Sequence, residues 1–168
     1  MLKTLGVVAA VIVVGLPAAA LVAGQMNMLS GRRPQDLGAR DGLLKPPVAA
    51  SWNSVSSQAA RHPHTEYHEI APLRYQGGGH AAFARLAAIV AAMPGATVIT
   101  SQPDYLYAEF RTPMLKFVDD VEFLLDPSAN AIQMRSASRL GRKDFGANRK
   151  RLEAIRQRFE AQPLPAAG

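Results

Sequence analysis

Four short stretches in the second half of the chain constrain the fold most: Thr97–Ser101, Tyr105–Thr112, Phe117–Leu125 and Ala131–Ala137. They are separated only by Gln102-Pro103-Asp104, Pro113-Met114-Leu115-Lys116 and Asp126-Pro127-Ser128-Ala129-Asn130. Connections this short hold turn residues and leave no room for a crossover helix. Each strand must therefore return antiparallel to the one before it.

The flanking segments supply the rest of the layer. His68–Tyr75 reads as a further strand, restricted by Pro72 to an edge or bulge. Gly77-Gly78-Gly79 is a hinge leading into an amphipathic helix over His80–Met93, where Phe83, Leu86, Val90 and Met93 share a face and Pro94-Gly95 ends the run. A last helix, Ala147–Ala161, carries Leu152, Ile155 and Phe159 on one side. The order strand, helix, four strands, helix predicts an α+β fold: a small antiparallel sheet of about five strands with two helices on one face.

Upstream of this domain the chemistry changes. Met1-Leu2-Lys3 precedes an apolar run, Leu5–Ala23, of about 19 uncharged residues, with Pro17 and small residues near its end. A charged start, an apolar core and small residues describe an export signal, and the length also suffices for a single-pass anchor. Residues 1–25 are therefore expected to be a signal peptide or membrane anchor. Arg32, Arg33 and Arg40 outnumber Lys3 near the segment, which favours a cytoplasmic C-terminal side. The signal-like order weighs more, and the domain is expected in the periplasm, anchored to the inner membrane or exported. Residues 26–61, rich in Gly, Pro, Ser and Ala, read as a linker laid across the domain through Leu43, Leu44 and Trp52. Residues 62–162 form the domain and 163–168 a disordered tail.

Charge is concentrated at one end. Residues 139–158 contain eight basic residues against Asp144 and Glu153, a net of +6 that equals the formal charge of the whole chain. Such an end favours anionic partners, here anionic lipid or an acidic protein meeting Arg149, Lys150, Arg151, Arg156 and Arg158. Nucleic acid is not an expected partner. The absence of cysteine excludes disulfides, thiolate catalysis and Cys-ligated metal.

Strand period then sorts the polar residues. Leu106, Ala108 and Phe110 share one face of their strand, leaving Tyr105, Tyr107, Glu109 and Arg111 on the other. Phe117, Val121, Phe123 and Leu125 face the core and bring Asp119 with them. Asp120, Glu122 and Arg135 fall on the opposite, solvent face. There they form either a stabilising cross-strand lattice or a carboxylate site. As a catalytic site, Asp119, Asp120 and Glu122 would supply acid and base, with Arg135, Arg139, Asp144, Asn148 and Arg149 around an anionic substrate. Asp119, among apolar side chains, requires a partner, for which the candidates are Arg139, Arg142, Lys143, the Ser136 and Ser138 hydroxyls and the backbone N–H groups of the Arg139–Gly141 turn.

Three weaker patterns complete the reading. His62, His64, Glu66 and His68 alternate, and an extended chain would point all four one way, toward a single Zn²⁺ or Ni²⁺. A polar strand entry is the commoner meaning of that pattern. Ser56, Ser57, Ser136 and Ser138 lack the context of a serine nucleophile. The triple glycine lacks the lysine of a phosphate loop. No cofactor is expected.

The stretches VSSQ (Val55–Gln58), HEIAPLRY (His68–Tyr75), DYLYAEFRT (Asp104–Thr112), FVDDVEFLLD (Phe117–Asp126) and IQMRSASRLGRKDFGANRKR (Ile132–Arg151), with Ile155-Arg156, carry a resemblance. Over about residues 30 to 160 the chain resembles the family of unknown function DUF1499, of bacteria and plastids. The resemblance implies an N-terminal membrane segment or export signal, as members often carry. It implies no activity. The family's usual pair of cysteines falls here near Val48 and at Ser54, so any thiol role is lost. Two functions remain from the residues themselves. One is a non-enzymatic binding or structural module at the cell envelope; the other is an enzyme built on the carboxylates and arginines named above.

Overall fold

The computed structural model describes Thr4 and residues 11–161. Its centre is an antiparallel sheet of six strands: β1 (Ser54–Ser56), β2 (Leu73–Arg74), β3 (Ala96–Ser101), β4 (Tyr105–Arg111), β5 (Val118–Asp126) and β6 (Ala131–Ser138). Their order is β1-β6-β5-β4-β3, with β2 also pairing to β6. The meander is as expected, each strand within about two residues of its predicted ends. The β5–β6 turn shows why it is tight. The Asp126 carboxylate accepts from the Ala129 N–H and the Ser128 hydroxyl, and Asn130 closes the turn in the left-handed conformation.

Three helices accompany the sheet: α1 (Leu16–Gln25), entered through a single π-turn at Val11–Gly15, then α2 (Gly79–Ala91) and α3 (Ala147–Ala161). Among the described residues no helix is long and apolar enough to cross a membrane. The expected signal or anchor begins, and the expected tail lies, outside those residues. Helices α2 and α3 pack on one face. Phe83, Leu86 and Val90 of α2 join Leu152, Ile155 and Phe159 of α3 over Leu106, Phe110, Val121, Phe123, Ile132 and Met134 of the sheet. Each such side chain taken out of water is worth about 1.5–3 kcal/mol before entropy is counted. The triple glycine has a packing reason at its last member, where a Cβ on Gly79 would meet the Tyr75 hydroxyl at 2.6 Å.

Two segments depart from the reading. The strand expected at His68–Tyr75 shrinks to Leu73–Arg74, and Glu66–His68 instead forms a 3₁₀ turn. The cause is local: Thr65 and His68 cap the turn reciprocally, the Thr65 N–H donating to His68 Nδ1 at 3.0 Å. Residues 26–61 also do more than connect. They contribute β1, with Val55 fully buried in the core, and a covering for the sheet's second face in which Leu44 is buried. That covering accounts for β5, which is buried without interruption from Val118 to Leu125. A central strand covered on both sides has no solvent face.

Candidate functional site

Glu109 and Asp120 are directly opposite on β4 and β5, as are Glu122 and Arg135 on β5 and β6. Period two puts all four on the face away from the helices. Arg139, just past the end of β6, folds back over them. Its Nε donates to both Asp120 oxygens at 3.1 and 3.0 Å, and its Nη2 donates to Asp120 at 2.7 Å and Glu109 at 2.5 Å. The Tyr107 hydroxyl donates to Asp120 at 2.6 Å and accepts from Arg139 at 3.0 Å. From the covering segment, Arg33 reaches Glu109 at 2.6 Å.

The neighbouring cluster is centred on Glu122, which is fully buried. Its carboxylate accepts from Arg135 Nη1 at 2.8 Å, the Tyr105 hydroxyl at 2.8 Å and the Gly38 N–H at 2.9 Å. The Gly38 bond is the point where irregular backbone closes the face. Arg135 Nε is buried without a hydrogen-bond partner among the described residues.

The expectation that Asp120, Glu122 and Arg135 face solvent is therefore corrected: Asp120 is 2% exposed and Arg135 5%. Their phase on the strands is as read, but residues 26–45 lie over them. Charge patterning within the strands could not reveal this, since the cover comes from a distant segment without periodicity.

Asp119 does face the helices and is buried, but its partner is neither Arg139 nor the 139–141 turn. Arg151, one turn into α3, meets it at 2.5 Å. The same guanidinium donates to Ser136 Oγ at 2.9 Å and Asn148 Oδ1 at 2.8 Å and lies 5.0 Å from the Phe110 ring. Asn148, fully buried, in turn donates to the Asn53 carbonyl, Ser138 Oγ and Asp144. Asp144 accepts from the Asn148 and Gly146 N–H groups at 2.9 and 3.0 Å and from the Tyr67 hydroxyl. Arg149 donates to the Tyr67 and Glu69 carbonyls.

The candidate catalytic residues thus divide between the two faces of the sheet. Asp120, Glu122, Arg135 and Arg139 are on one; Asp119, Asp144 and Asn148 are on the other, with Arg149 turned onto backbone. Tyr105, Tyr107, Arg33 and Arg151 belong to these networks and were not among the candidates. The tyrosines share the strand phase of Glu109, so their place was readable. Arg33 had no signal.

Protonation follows from these contacts. Burial alone would raise the Glu109 carboxyl, but Arg139 and Arg33 outweigh it and hold it below the usual range. Asp144 is likewise lowered, burial being outweighed by Tyr67 and the backbone N–H groups. Tyr105 and Tyr107 are raised, first by burial and then by Glu122 and Asp120 respectively.

The histidine series is not assembled as an extended ligand set. His68 is fully buried, its Nε2 2.8 Å from the Ser51 carbonyl, while His64 pairs with Glu69 at 2.8 Å. No group of three His, Asp or Glu placed to hold a metal occurs among the described residues. On α3, Arg156 joins Arg149 and Arg151 in turning inward, bonding Glu153 and the Pro72 and Ala71 carbonyls. Lys150 and Arg158 remain at the surface.

Neither a curated protein nor a solved structure matches the chain. A family model described as a protein of unknown function, DUF1499, matches residues 46–159. That span runs from just before β1 to nearly the end of α3 and takes in every strand of the sheet. The chain belongs to the DUF1499 family.

Proposed function

We propose that this protein is a non-enzymatic binding or structural module of the cell envelope, anchored or exported through residues 5–23 with its domain on the periplasmic side. One observation carries the non-enzymatic half. Asp120, Glu122, Arg135 and Arg139, which could have made an active site, are bonded to one another, to Glu109, to Tyr105 and Tyr107 and to the Gly38 N–H, beneath a covering segment. A substrate would have to displace that cover and break charge-assisted hydrogen bonds to reach them. The anchor rests on the sequence of the first 25 residues.

Two measurements test the proposal. A thermal-shift screen of the full chain against anionic metabolites and divalent metal ions should leave the melting temperature unchanged. A saturable rise with any of them would favour instead an enzyme or ligand site using Asp119, Asp120, Glu122, Arg135 or Arg139. Membranes from expressing cells should retain the chain through carbonate and high-salt washes, and external protease should reach it only from the periplasmic side. Release by the washes would overturn the anchor.

A further inference from the structure

The large hydrophobic side chains left in water are not scattered. Among the described residues Ile99 alone lies on a strand; the others lie on α1 and its entry turn, residues 26–28, Val48–Trp52, the β4–β5 turn and the loop after β6. Register explains what these segments share. Arg111 pairs with Val118, Asp119 with Ser138, and Ser54 with Ala137, so they all leave the sheet at the same end. Helix α1 reaches that end too. Gln25 donates to the Met114 carbonyl at 3.1 Å, and Gly24 sits so close to the turn that a Cβ would meet the Leu115 oxygen at 2.6 Å.

The loop after β6 presents this surface in a fixed form. Phe145 is 95% exposed and adopts φ 53°, a left-handed conformation that bulky residues avoid. Bonds on both sides hold it there. Trp52 N–H donates to the Arg142 carbonyl at 2.7 Å, Asp144 N–H to the Trp52 carbonyl at 3.0 Å, and the Ala147 N–H to the Asp144 carbonyl at 3.1 Å. The Asp144 carboxylate, the one acidic group in either loop of this end, is turned inward to Tyr67 and Asn148. What faces outward is Leu140, Arg142, Lys143 and Phe145, with Lys143 Nζ 4.6 Å above the half-exposed Trp52 ring.

Folding gains nothing from a rigid loop that holds a phenylalanine in water. Apolar tips from separate loops, interspersed with cations and free of outward carboxylates, match an interface with anionic lipid, where aromatic rings sit at headgroup depth. We propose that this end of the domain seats on an anionic membrane surface, with Phe145, Trp52, Leu140 and Met114 entering the interface and Arg142 and Lys143 meeting headgroup phosphates. The inference rests on the envelope reading only in requiring a membrane within reach.

The chain has one tryptophan, and it lies in the proposed surface. The full chain would be reconstituted with vesicles of phosphatidylcholine alone or of phosphatidylcholine with phosphatidylglycerol. Flotation at high salt reads the anchor; Trp52 fluorescence reads the loop. With anionic vesicles Trp52 should shift to the blue, become protected from acrylamide and be quenched by shallowly brominated lipid. Raised salt should weaken all three. Phe145→Gly suits the left-handed backbone, so the melting temperature should hold or rise while the Trp52 protection is lost. Arg142→Glu combined with Lys143→Glu should also abolish it. A chain that floats with Trp52 fully open to acrylamide overturns the inference and spares the anchor, and points to a protein partner for this surface. Equal protection in neutral vesicles, or Phe145→Gly behaving as the parent, also overturns it. A chain that floats at low salt, is released from the vesicles at high salt and shows salt-sensitive Trp52 protection would overturn the anchor and uphold the loop.

Discussion

The helix face of the sheet is an apolar surface that carries the buried ion pair Asp119–Arg151 near its end. The opposite face carries Tyr105, Tyr107, Glu109, Asp120, Glu122 and Arg135 under a segment with no regular structure. Two amphipathic helices can cover the first because burial needs only shape and area. Covering the second requires a donor for every carboxylate, and the chain supplies Arg139 from the end of β6, Arg33 from the covering segment and the Gly38 N–H. One face is held by area, the other by specific partners. They should therefore fail differently when a single side chain is removed.

The largest difference should come from Glu122→Ala. Glu122 is fully buried and has three donors, and its loss leaves the Arg135 guanidinium, already short of a partner at Nε, without its counter-charge. Breaking a buried pair on one side costs about 3–5 kcal/mol. Urea unfolding should show a lower midpoint at an unchanged slope. A loss under about 1 kcal/mol, the scale of exposed pairs, would show the face to be wet, and the comparison would collapse.

Asp119→Ala should cost less, about 1.5–3 kcal/mol, the scale of a hydrogen bond to a charged group. Arg151 keeps Ser136 and Asn148, and its side chain is 13% exposed, so water can replace part of what it loses. If Asp119→Ala proved the more damaging of the two, the ion pair rather than apolar area would dominate the helix face.

These two residues also show how far the sequence could be read. The four meander strands, both sheet-packed helices and the side of β5 on which Asp119 falls follow from alternation and turn chemistry, because those are local signals, whereas β1 lay hidden in the linker-like segment. Arg151 was legible only as part of a basic helix. Its choice of Asp119 depends on how α3 crosses β5, which no spacing encodes. The burial of Asp120 and Glu122 was hidden for another reason. Their cover, residues 26–45, has the composition of a linker, and its order comes from bonds made by backbone and by Arg33 to side chains far along the chain. The 3₁₀ turn at Glu66–His68 depends on a histidine acting as a cap, outside the usual Glu or Gln pattern.

Acid should probe both faces together. Glu109 on the covered face and Asp144 beside the helix face are each held below their ordinary carboxylate values. A depressed group contributes stability that is complete above its unfolded value, about 4, and is lost as pH falls through its folded value. The thermal midpoint should be level from neutrality to about pH 5 and fall below about pH 4. A midpoint that rose as the pH fell below about 4 would mean that the two carboxylates are strained rather than stabilised.

Arg33→Ala should have the smallest effect, and it tests what the covering segment contributes. Arg33 bonds Glu109 at 2.6 Å and lies 5.8 Å from the Tyr107 ring, yet its side chain is 51% exposed. Solvent screens such a pair, and Glu109 keeps Arg139, so the expected loss is under about 1 kcal/mol. A double-mutant cycle with Glu109→Gln separates the direct pair from indirect effects. A coupling near zero would leave the segment fastened by the Gly38–Glu122 bond, the bonds of Arg111 to Asn27 and Ser30, those of Gln58 to Leu44 and Gly42, and buried Leu44. A coupling above about 2 kcal/mol would mean that Arg33 is sequestered from water in solution. In that case the segment would be as integral to the covered face as α2 and α3 are to the other.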